Sequence, residues 1–487
     1  MKHKRLSRHS LRGETSHRIM EKAPSPFKAT SCQGGTKIKK ARTQKVLTIR
    51  AKIIKETLPK NGLIINRDKI LRENKKNKNE TSSLPVGGRL TAFKKKWTES
   101  GYGNQIAKGL SRNWKLAPPL MSRVRSQRTS PVMDLAVRKM SKKRVILRTK
   151  HLKHQSMLFT VPKKDSAEDR VILDLSELNQ YIHCPTFKML TLAQIRLILP
   201  KMWYTAALDL KDGFWHVPIF PGLRAYLGFI YRGQGWMFRA MPFGLNVAPR
   251  NFTKLIKYMI KVLALEGIWC LPYLDDLLII AQTREECRQK LQRAITILEE
   301  HGWIINFEKS RLEPCQVFEW LGMQYNLNRF QICNTIRSMT ILRDHLIHLI
   351  QSNYCTKRQI MRVQGLANWT GQVNPLTRLI LTRTKTNLSI LASHNIDTVV
   401  KQSLEMRMSL IKWIHTPNVP HLLGIPKVTH LVQSDASKTG WGFQINQTQF
   451  MGNFDSSMQR FHIGILETLA VWYSTLMIQE NHAVFTF

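Results

Sequence analysis

Residues 271–280 read Leu-Pro-Tyr-Leu-Asp-Asp-Leu-Leu-Ile-Ile, and this stretch decides the fold. Apolar residues flank the adjacent carboxylates Asp275 and Asp276. This pattern predicts two strands joined by a tight turn, because Asp favours turns while branched aliphatic side chains suit a half-buried sheet. Two neighbouring anions repel each other unless a cation lies between them, and carboxylate oxygens suit a divalent metal. By itself an Asp-Asp pair is more often a solvated turn, so other parts of the chain must decide.

Outward from this hairpin, the sequence predicts alternating strands and helices. The expected elements are strands at 204–210, 303–307 and 317–323, and helices at 252–263 and 283–302. With the hairpin they give the order β-α-β-β-α-β, which is typical of a split βαβ, ferredoxin-like antiparallel sheet backed by helices. In that layout the end of the first strand lies beside the central hairpin, so Asp209 is predicted to join Asp275 and Asp276.

The formal net charge of +44 is concentrated in residues 1–150, which hold 40 Lys and Arg against 8 Asp and Glu. Few apolar residues interrupt this region, so we predict that it is basic and mostly disordered. Such charge indicates a polyanionic partner, most plausibly nucleic acid, although a solvated tail has the same composition.

The cysteines and the hydropathy pattern indicate the compartment. Seven cysteines without a Cys-x-x-Cys pair suggest neither a disulfide framework nor a structural zinc site, which fits a reducing environment. No apolar run reaches the roughly 18 residues of a membrane span, and the first residues lack a signal sequence. We therefore expect an intracellular protein of the cytoplasm, the nucleus or both, with no membrane partner.

Three segments resemble motifs A, B and C of retroelement reverse transcriptases: Ala207–Trp215, Met241–Pro249 and Tyr273–Asp276. Together with Ser434–Gly442, their wording is most similar to the DIRS-type retrotransposon branch, followed by Ty3/Gypsy-type elements and pararetroviruses. The resemblance implies an α+β right-hand polymerase with fingers, palm and thumb. It also implies RNA-directed DNA synthesis from an RNA template, a DNA primer and dNTPs, with two Mg²⁺ ions, or Mn²⁺ in their place.

The resemblance also implies roles for individual residues. The implied catalytic set is Asp209, Asp275 and Asp276 as metal ligands, with Asp276 the more supportive, and Lys309 as proton donor to pyrophosphate. The implied nucleotide-binding set is Lys163, Lys164 and Arg170 at the phosphates, Phe214 as the gate against a 2′-hydroxyl, and Pro242, Phe243 and Gly244 beside the template base. The implied primer grip is Trp320, Leu321 and Gly322. Without the motifs, Phe214 would be interpreted as a core residue, and the loop with Lys163 and Lys164 as a solvated charged loop.

The same resemblance divides the chain into regions. These are a basic low-order region (1–150), fingers and palm (151–330), a mainly helical thumb or connection (331–425) and the start of a ribonuclease H-like α/β unit (426–487). Asp435 and Glu467 match two of that unit's metal-binding carboxylates. The chain ends at Phe487, in a strand-like run (483–487) that would lead into the next acid, so the third and fourth acids are missing and we expect ribonuclease H activity to be lost. The alternative function is a catalytically inactive or domesticated nucleic-acid-binding remnant.

Overall fold

A computed structural model describes residues 30–31, 84–108, 114–116, 118, 127, 129–162, 169–373, 395–415, 418–424, 430–478 and 483–486. They belong to two compact units, one of residues 49–424 and one of residues 1–48 with 425–487. The strands are β1 Thr30–Ser31, β2 Ile146–Arg148, β3 Met157–Pro162, β4 Asp169–Asp174, β5 Tyr204–Asp209, β6 Gly228–Tyr231, β7 Gln234–Phe238, β8 Trp269–Tyr273, β9 Asp276–Ala281, β10 Arg311–Cys315, β11 Val317–Trp320, β12 Met323–Asn326, β13 Gln331–Asn334, β14 Tyr354–Thr356, β15 Val399–Lys401, β16 His421–Leu422, β17 His430–Ala436, β18 Gly440–Ile445, β19 Thr448–Asn453 and β20 Ala483–Thr486.

The α-helices are α1 Lys94–Glu99, α2 Gly103–Lys108, α3 Pro131–Lys142, α4 Leu178–Tyr181, α5 Leu192–Ile198, α6 Gly213–His216, α7 Pro221–Arg224, α8 Ala248–Leu265, α9 Arg284–Glu300, α10 Ile336–Gln351, α11 Lys357–Thr370, α12 Leu404–Ile414 and α13 Ile463–Leu476. Short 3₁₀ helices cover Arg89–Phe93 and Met458–Arg460. None of the helices in the described ranges is both long enough and apolar enough to cross a membrane.

The centre of the larger unit is a four-stranded antiparallel sheet in the order β10-β5-β9-β8. This is the strand order of the split βαβ layout predicted from the sequence. Helix α8 packs on β8, and α9 packs on β5, β9 and β10. The apolar stripe of α8, from Phe252 to Leu263, is buried in the main core, because a helix with apolar residues at three- and four-residue spacing buries that face.

Smaller sheets surround this central sheet, which we call the palm sheet. They are a β2-β7-β6 sheet, the β3–β4 hairpin and a sheet in the order β11-β12-β13-β16. Helices α10, α11 and α12 enclose a separate core with the β14–β15 ladder, so the described part of residues 331–424 is mainly helical. In the second unit the sheet order is β1-β19-β18-β17-β20, with β20 parallel to β17 and α13 packed on β17 and β18.

The predictions for two strands after α9 are wrong in detail. Residues 303–307 form no strand; only Ile305 makes an isolated bridge, to Leu210. The fourth palm strand is instead β10, which contains Pro314 at a sheet edge, where a missing N–H is tolerated. The predicted strand 317–323 is a hairpin, because Leu321 and Gly322 both have positive φ and turn the chain between β11 and β12.

The predicted low-order region 1–150 is wrong for its described last part. Trp97 is fully buried and donates from Nε1 to the His301 carbonyl oxygen at 2.8 Å, and Arg89 Nε donates to the Gly302 carbonyl oxygen at 3.0 Å. These carbonyls follow the last turn of α9, where a cation and N–H donors are favourable. Residues 84–108 are therefore part of the palm core, which the basic local composition concealed.

Candidate active site

Three carboxylates meet at one edge of the palm sheet. Asp209 ends β5 and lies directly opposite Asp276, the first residue of β9. Asp275 lies in the β8–β9 turn, and its carbonyl oxygen accepts a hydrogen bond from Leu210 N at 3.0 Å. The turn includes Leu274 at φ 53°, a left-handed conformation that is costly for a branched side chain. The structure thus brings Asp209 together with Asp275, which lies 66 positions later in the sequence, and with Asp276.

Asn306 holds the carboxylate of Asp209. Its Nδ2 donates to Asp209 Oδ1 at 2.8 Å, and its backbone N–H donates to the Asp209 carbonyl oxygen at 2.8 Å. Ser310 completes the support: its hydroxyl accepts from Asp209 N at 3.0 Å and donates to the Asn306 carbonyl oxygen at 2.8 Å. The sequence reasoning missed Asn306, because nothing local links it to an acid 97 positions away; its position three residues before Lys309 was the only pointer.

The crowding of negative charge changes the acidity of the hairpin carboxyls. Loss of hydration, with repulsion from Asp275 and Asp209, raises the pKa of Asp276 from its usual 3.8 to about 7. Loss of hydration and repulsion from Asp209 also raise the pKa of Asp275, while Arg170 and Lys309 lower it. The cluster therefore gains stability from added positive charge, which is what a metal-binding carboxylate group requires.

The donor chemistry fits divalent cations, since hard carboxylate oxygens come from two neighbouring strands. Within the described ranges, however, no three His, Cys, Asp or Glu side chains form a group able to hold a metal ion by themselves. This holds for Asp209, Asp275 and Asp276 as well, so a metal at these carboxylates belongs to the function proposed below.

An aromatic stack forms the wall beside the carboxylates. The ring of Phe214 stacks on Phe243 with centroids 5.0 Å apart and is tilted against Phe252 at 5.1 Å. The guanidinium of Arg170, a residue of β4, lies 5.3 Å from the centre of the Phe243 ring. Phe214 is half-buried and packs against the main core. Its role as a gate against a 2′-hydroxyl stays a prediction.

Two glycines allow segments to approach closely here. A Cβ on Gly213 would lie 2.9 Å from the ring of buried Phe252 and 3.5 Å from Asp275 Cβ. Gly244 has φ 104°, and a Cβ there would lie 1.9 Å from the Leu173 carbonyl oxygen. Pro242 is buried beside it, and the Phe243 carbonyl oxygen accepts from Leu173 N at 3.1 Å. Motif B is thereby fixed to β4, the strand that carries Arg170.

The remaining predicted site residues lie in different surroundings. Lys309 is exposed and close enough for its charge to lower the pKa of both hairpin carboxyls. Lys163 and Lys164 lie outside the described residues. Among the predicted primer-grip residues, Trp320 is buried in the core that also contacts Tyr273, while Leu321 and Gly322 form the β11–β12 turn.

The two acids of the second unit are both on its surface. Asp435 is exposed at the end of β17, and its Oδ1 accepts from Ala436 N at 2.9 Å. Glu467 is exposed on α13, the helix that packs on β17. Neither belongs to a three-ligand metal group in the described part of the chain.

The ferredoxin-like sheet with three acids at one edge is the arrangement that the sequence resemblance implied for a polymerase palm. Residues 161–325 match the family model described as reverse transcriptase (RNA-dependent DNA polymerase). The match covers less than half of the chain, and it shows a similarity of this region to reverse transcriptases.

Two viral relatives and one solved structure are also similar to this chain. The genome polyprotein of Petunia vein clearing virus is 24% identical over 319 residues, which cover 62% of this chain and 14% of that protein. Protein P of Heron hepatitis B virus is 26% identical over 183 residues, 36% of this chain and 23% of that protein. The foamy viral protease-reverse transcriptase, solved in complex with an RNA/DNA hybrid, has a TM-score of 0.54 at 16% identity and covers 94% of this chain and 57% of its own. The chain thus has the polymerase fold of that enzyme and spans less than a quarter of the two viral relatives. Reverse transcriptases as a family use divalent metal ions.

Proposed function

We propose that this chain is the RNA-directed DNA polymerase of a retrotransposon, of DIRS type by its motifs, that extends a DNA primer on an RNA template. The observation that carries the proposal is the placement of Asp209 opposite Asp276 and beside Asp275. Bound at these three carboxylates, two Mg²⁺ ions would activate the primer 3′-hydroxyl and stabilise the triphosphate, with Mn²⁺ as the alternative metal.

The protein groups around the acids have complementary tasks. Arg170 is a residue of β4, and its guanidinium lies over the Phe243 ring. Together with Lys163 and Lys164, it offers N–H donors to the nucleotide phosphates. Lys309 carries a proton that can pass to the leaving pyrophosphate. In this proposal the Phe214 ring leaves a 2′-hydroxyl on the incoming sugar neither space nor a hydrogen-bond partner, which favours deoxynucleotides.

Other surfaces complete the proposal. The β11–β12 turn at Trp320, Leu321 and Gly322 holds the primer end, and the basic region 1–150 adds sequence-independent nucleic acid binding. The protein would act inside the cell, in the cytoplasm, the nucleus or both. No ribonuclease H step is included, because Asp435 and Glu467 are exposed and no third acid joins them in the described residues.

Primer extension on an RNA template with Mg²⁺ and dNTPs tests this function. We expect extension by the wild-type chain and its loss in Asp275→Asn. The matched control is Asp344→Asn, which makes the same change at an exposed carboxylate on α10. Equal and negligible extension by wild type and Asp275→Asn would leave the inactive nucleic-acid-binding remnant as the correct interpretation.

The gate is tested separately. Phe214→Ala should raise ribonucleotide incorporation relative to deoxynucleotide incorporation by at least about tenfold, since removing the ring opens space for the 2′-hydroxyl. An unchanged ratio in a variant that still extends would show that Phe214 is only a core residue.

A further inference from the structure

Helix α8 carries a basic stripe on the face opposite its buried one. Its members are Arg250, Lys254, Lys257 and Lys261, spaced four, three and four residues apart. Residues at this spacing lie on one helix face with neighbouring Cβ atoms about 5–6 Å apart. The three lysines are exposed, Arg250 is half-buried, and α8 contains no Asp or Glu. The stripe is about 16 Å long.

The cations of the stripe differ from those of the neighbouring helix α9. On α9, Arg284 and Arg288 pair with Glu313, Lys290 pairs with Glu286, and Arg293 pairs with Glu266. Within the described part of the chain, none of the four stripe residues forms an ion pair of this kind. Surface cations that a protein does not neutralise internally are available to a polyanion.

A cavity of about 260 Å³ lies at the N-terminal end of the stripe. Arg250 and Lys254 line it, with Asn251 of the same helix and with Trp114 and His183. The Trp114 indole packs edge-on to Tyr226 at 5.1 Å, so the cavity has an aromatic wall beside its cations. Aromatic faces among spaced cations suit single-stranded nucleic acid, because bases stack while phosphates are neutralised.

The segment next to α8 adds no negative charge. Residues 100–133 contain no Asp or Glu, and they contact this part of the molecule through Trp114 and through Tyr102, which stacks on Tyr258 of α8 at 4.3 Å. Tyr102 and Trp114 therefore add aromatic side chains beside the stripe, and their segment brings no carboxylate to compete with a phosphate.

We propose that the α8 stripe and the Trp114 cavity bind the unpaired RNA template strand before it reaches the polymerase site. The inference rests on the proposed polymerase function. The stripe starts at the end of motif B, Met241–Pro249, whose residues lie beside the template base in that proposal. Its length of about 16 Å accommodates about five nucleotides at helical spacing.

Binding measurements on the full chain test this surface without requiring catalysis. The substrates are one RNA/DNA primer–template with a 5′ template overhang of one nucleotide and the same duplex with an overhang of about ten nucleotides. The variant is Lys254→Gln/Lys257→Gln/Lys261→Gln. Its matched control is Lys201→Gln/Lys401→Gln/Lys438→Gln, which removes the same charge from exposed positions off α8 and outside residues 1–150.

We expect the stripe variant to lose about tenfold in affinity for the long-overhang substrate, with little change for the short one. The slope of log Kd against log salt should fall by about 2 for the long overhang, since each phosphate contact with a single strand contributes about 0.7. The control variant should retain the wild-type preference. A stripe variant indistinguishable from the control would overturn the proposal.

A photo-crosslinkable 4-thiouridine in the overhang locates the strand directly. Crosslinks to peptides containing Trp114 or residues 250–261 support the proposal, and crosslinks found only elsewhere overturn it. Competition by polyglutamate as effective as competition by single-stranded RNA would also overturn it, because the stripe would then be an unspecific electrostatic face. If the wild-type chain extends primers but the stripe variant keeps the wild-type preference for the long overhang, only the template-binding proposal is refuted. If the wild-type chain does not extend primers but the preference depends on the stripe, only the polymerase function is refuted.

Discussion

Substitution of Asn306 by Ala removes one well-defined contact from the active site. The variant loses the Nδ2 donor that lies 2.8 Å from Asp209 Oδ1 but keeps the backbone bond from Asn306 to Asp209 and the Ser310 contacts. A hydrogen bond to a charged group contributes about 1.5–3 kcal/mol. Groups that orient metal ligands typically change metal affinity or activity by about 10- to 100-fold, which agrees with that range. We therefore expect kcat/KM for dNTP incorporation to fall about 10- to 100-fold.

Single-turnover primer extension across a Mg²⁺ titration measures this effect. The Mg²⁺ concentration at half-maximal rate should rise in Asn306→Ala, because a carboxylate free to rotate binds metal less tightly. Thermal unfolding should change little, since the backbone links remain. Asn306→Asp keeps the shape of the side chain but places a second negative charge next to Asp209. Its primer extension should therefore be at least as impaired as that of Asn306→Ala. Asn326→Ala, which removes a side-chain acceptor for Arg329 N at 3.0 Å away from the acids, is the control.

The result that would refute this reasoning is specific. If Asn306→Ala extends primers at the wild-type rate with the wild-type Mg²⁺ midpoint, Asp209 is oriented by its backbone alone. A general loss of stability without a shift in the Mg²⁺ midpoint would show that Asn306 is merely structural.

Three further perturbations have defined outcomes. Gly213→Ala should reduce extension and destabilise the fold by about 1–3 kcal/mol, because the new Cβ would lie 2.9 Å from buried Phe252; unchanged unfolding and extension would contradict the packing. Because the pKa of Asp276 is raised to about 7, the metal-free folded state holds a proton that the unfolded state has released. Its stability should therefore fall as pH rises from about 4 to about 7, and Asp276→Asn should weaken this dependence in EDTA-treated protein followed by thermal unfolding. Trp97→Ala should cost about 3–5 kcal/mol in denaturant unfolding, and a near-neutral effect would indicate that residues 84–108 are peripheral.

The sequence was sufficient to predict the grouping of the three acids, because the strand and helix periodicities around them indicated the same fold. Strand-like runs on either side of Asp275 and Asp276, and helix-like runs before and after them, specified the split βαβ order. That order alone brings Asp209 opposite Asp276, as the structure shows. The grouping of Arg170, Phe243 and Phe214 followed from motif resemblance, and their ring contacts are consistent with it.

The strand predictions after α9 were wrong in detail because a buried apolar run does not have to pair with a neighbouring strand. Trp303 and Ile305 are buried, so the apolar run at 303–307 resembled a strand, yet only Ile305 pairs, as a single bridge to Leu210. The strand that closes the sheet, β10, contains Arg311 and Pro314, and its Arg311 side chain bonds the Thr205 carbonyl oxygen at 2.6 Å. An edge strand needs only one set of ladder bonds, so its sequence carries a weak signal.

The order in residues 84–108 depends on tertiary contacts that composition does not report. Leu90 and Trp97 are fully buried, but three consecutive lysines lie between them and dilute the apolar pattern. Their burial requires the end of α9, where the Phe93 ring covers Gly302. A segment with few apolar residues can be ordered when a distant surface receives each of them, and local composition contains no information about that surface.

The same N-terminal segment also supports the wall of the active site. Gly88 N donates to the Trp215 carbonyl oxygen at 2.8 Å, and Lys143 Nζ lies 2.5 Å from Asp212 Oδ2. Asp212 has φ 54°, a costly conformation for a residue with a Cβ, and the Lys143 ion pair helps to hold it. Since Asp212 is followed directly by Gly213 and Phe214, the position of the Phe214 ring depends on contacts made by residues before 150. The core of this unit therefore includes described residues from Val86 onward, well before residue 150.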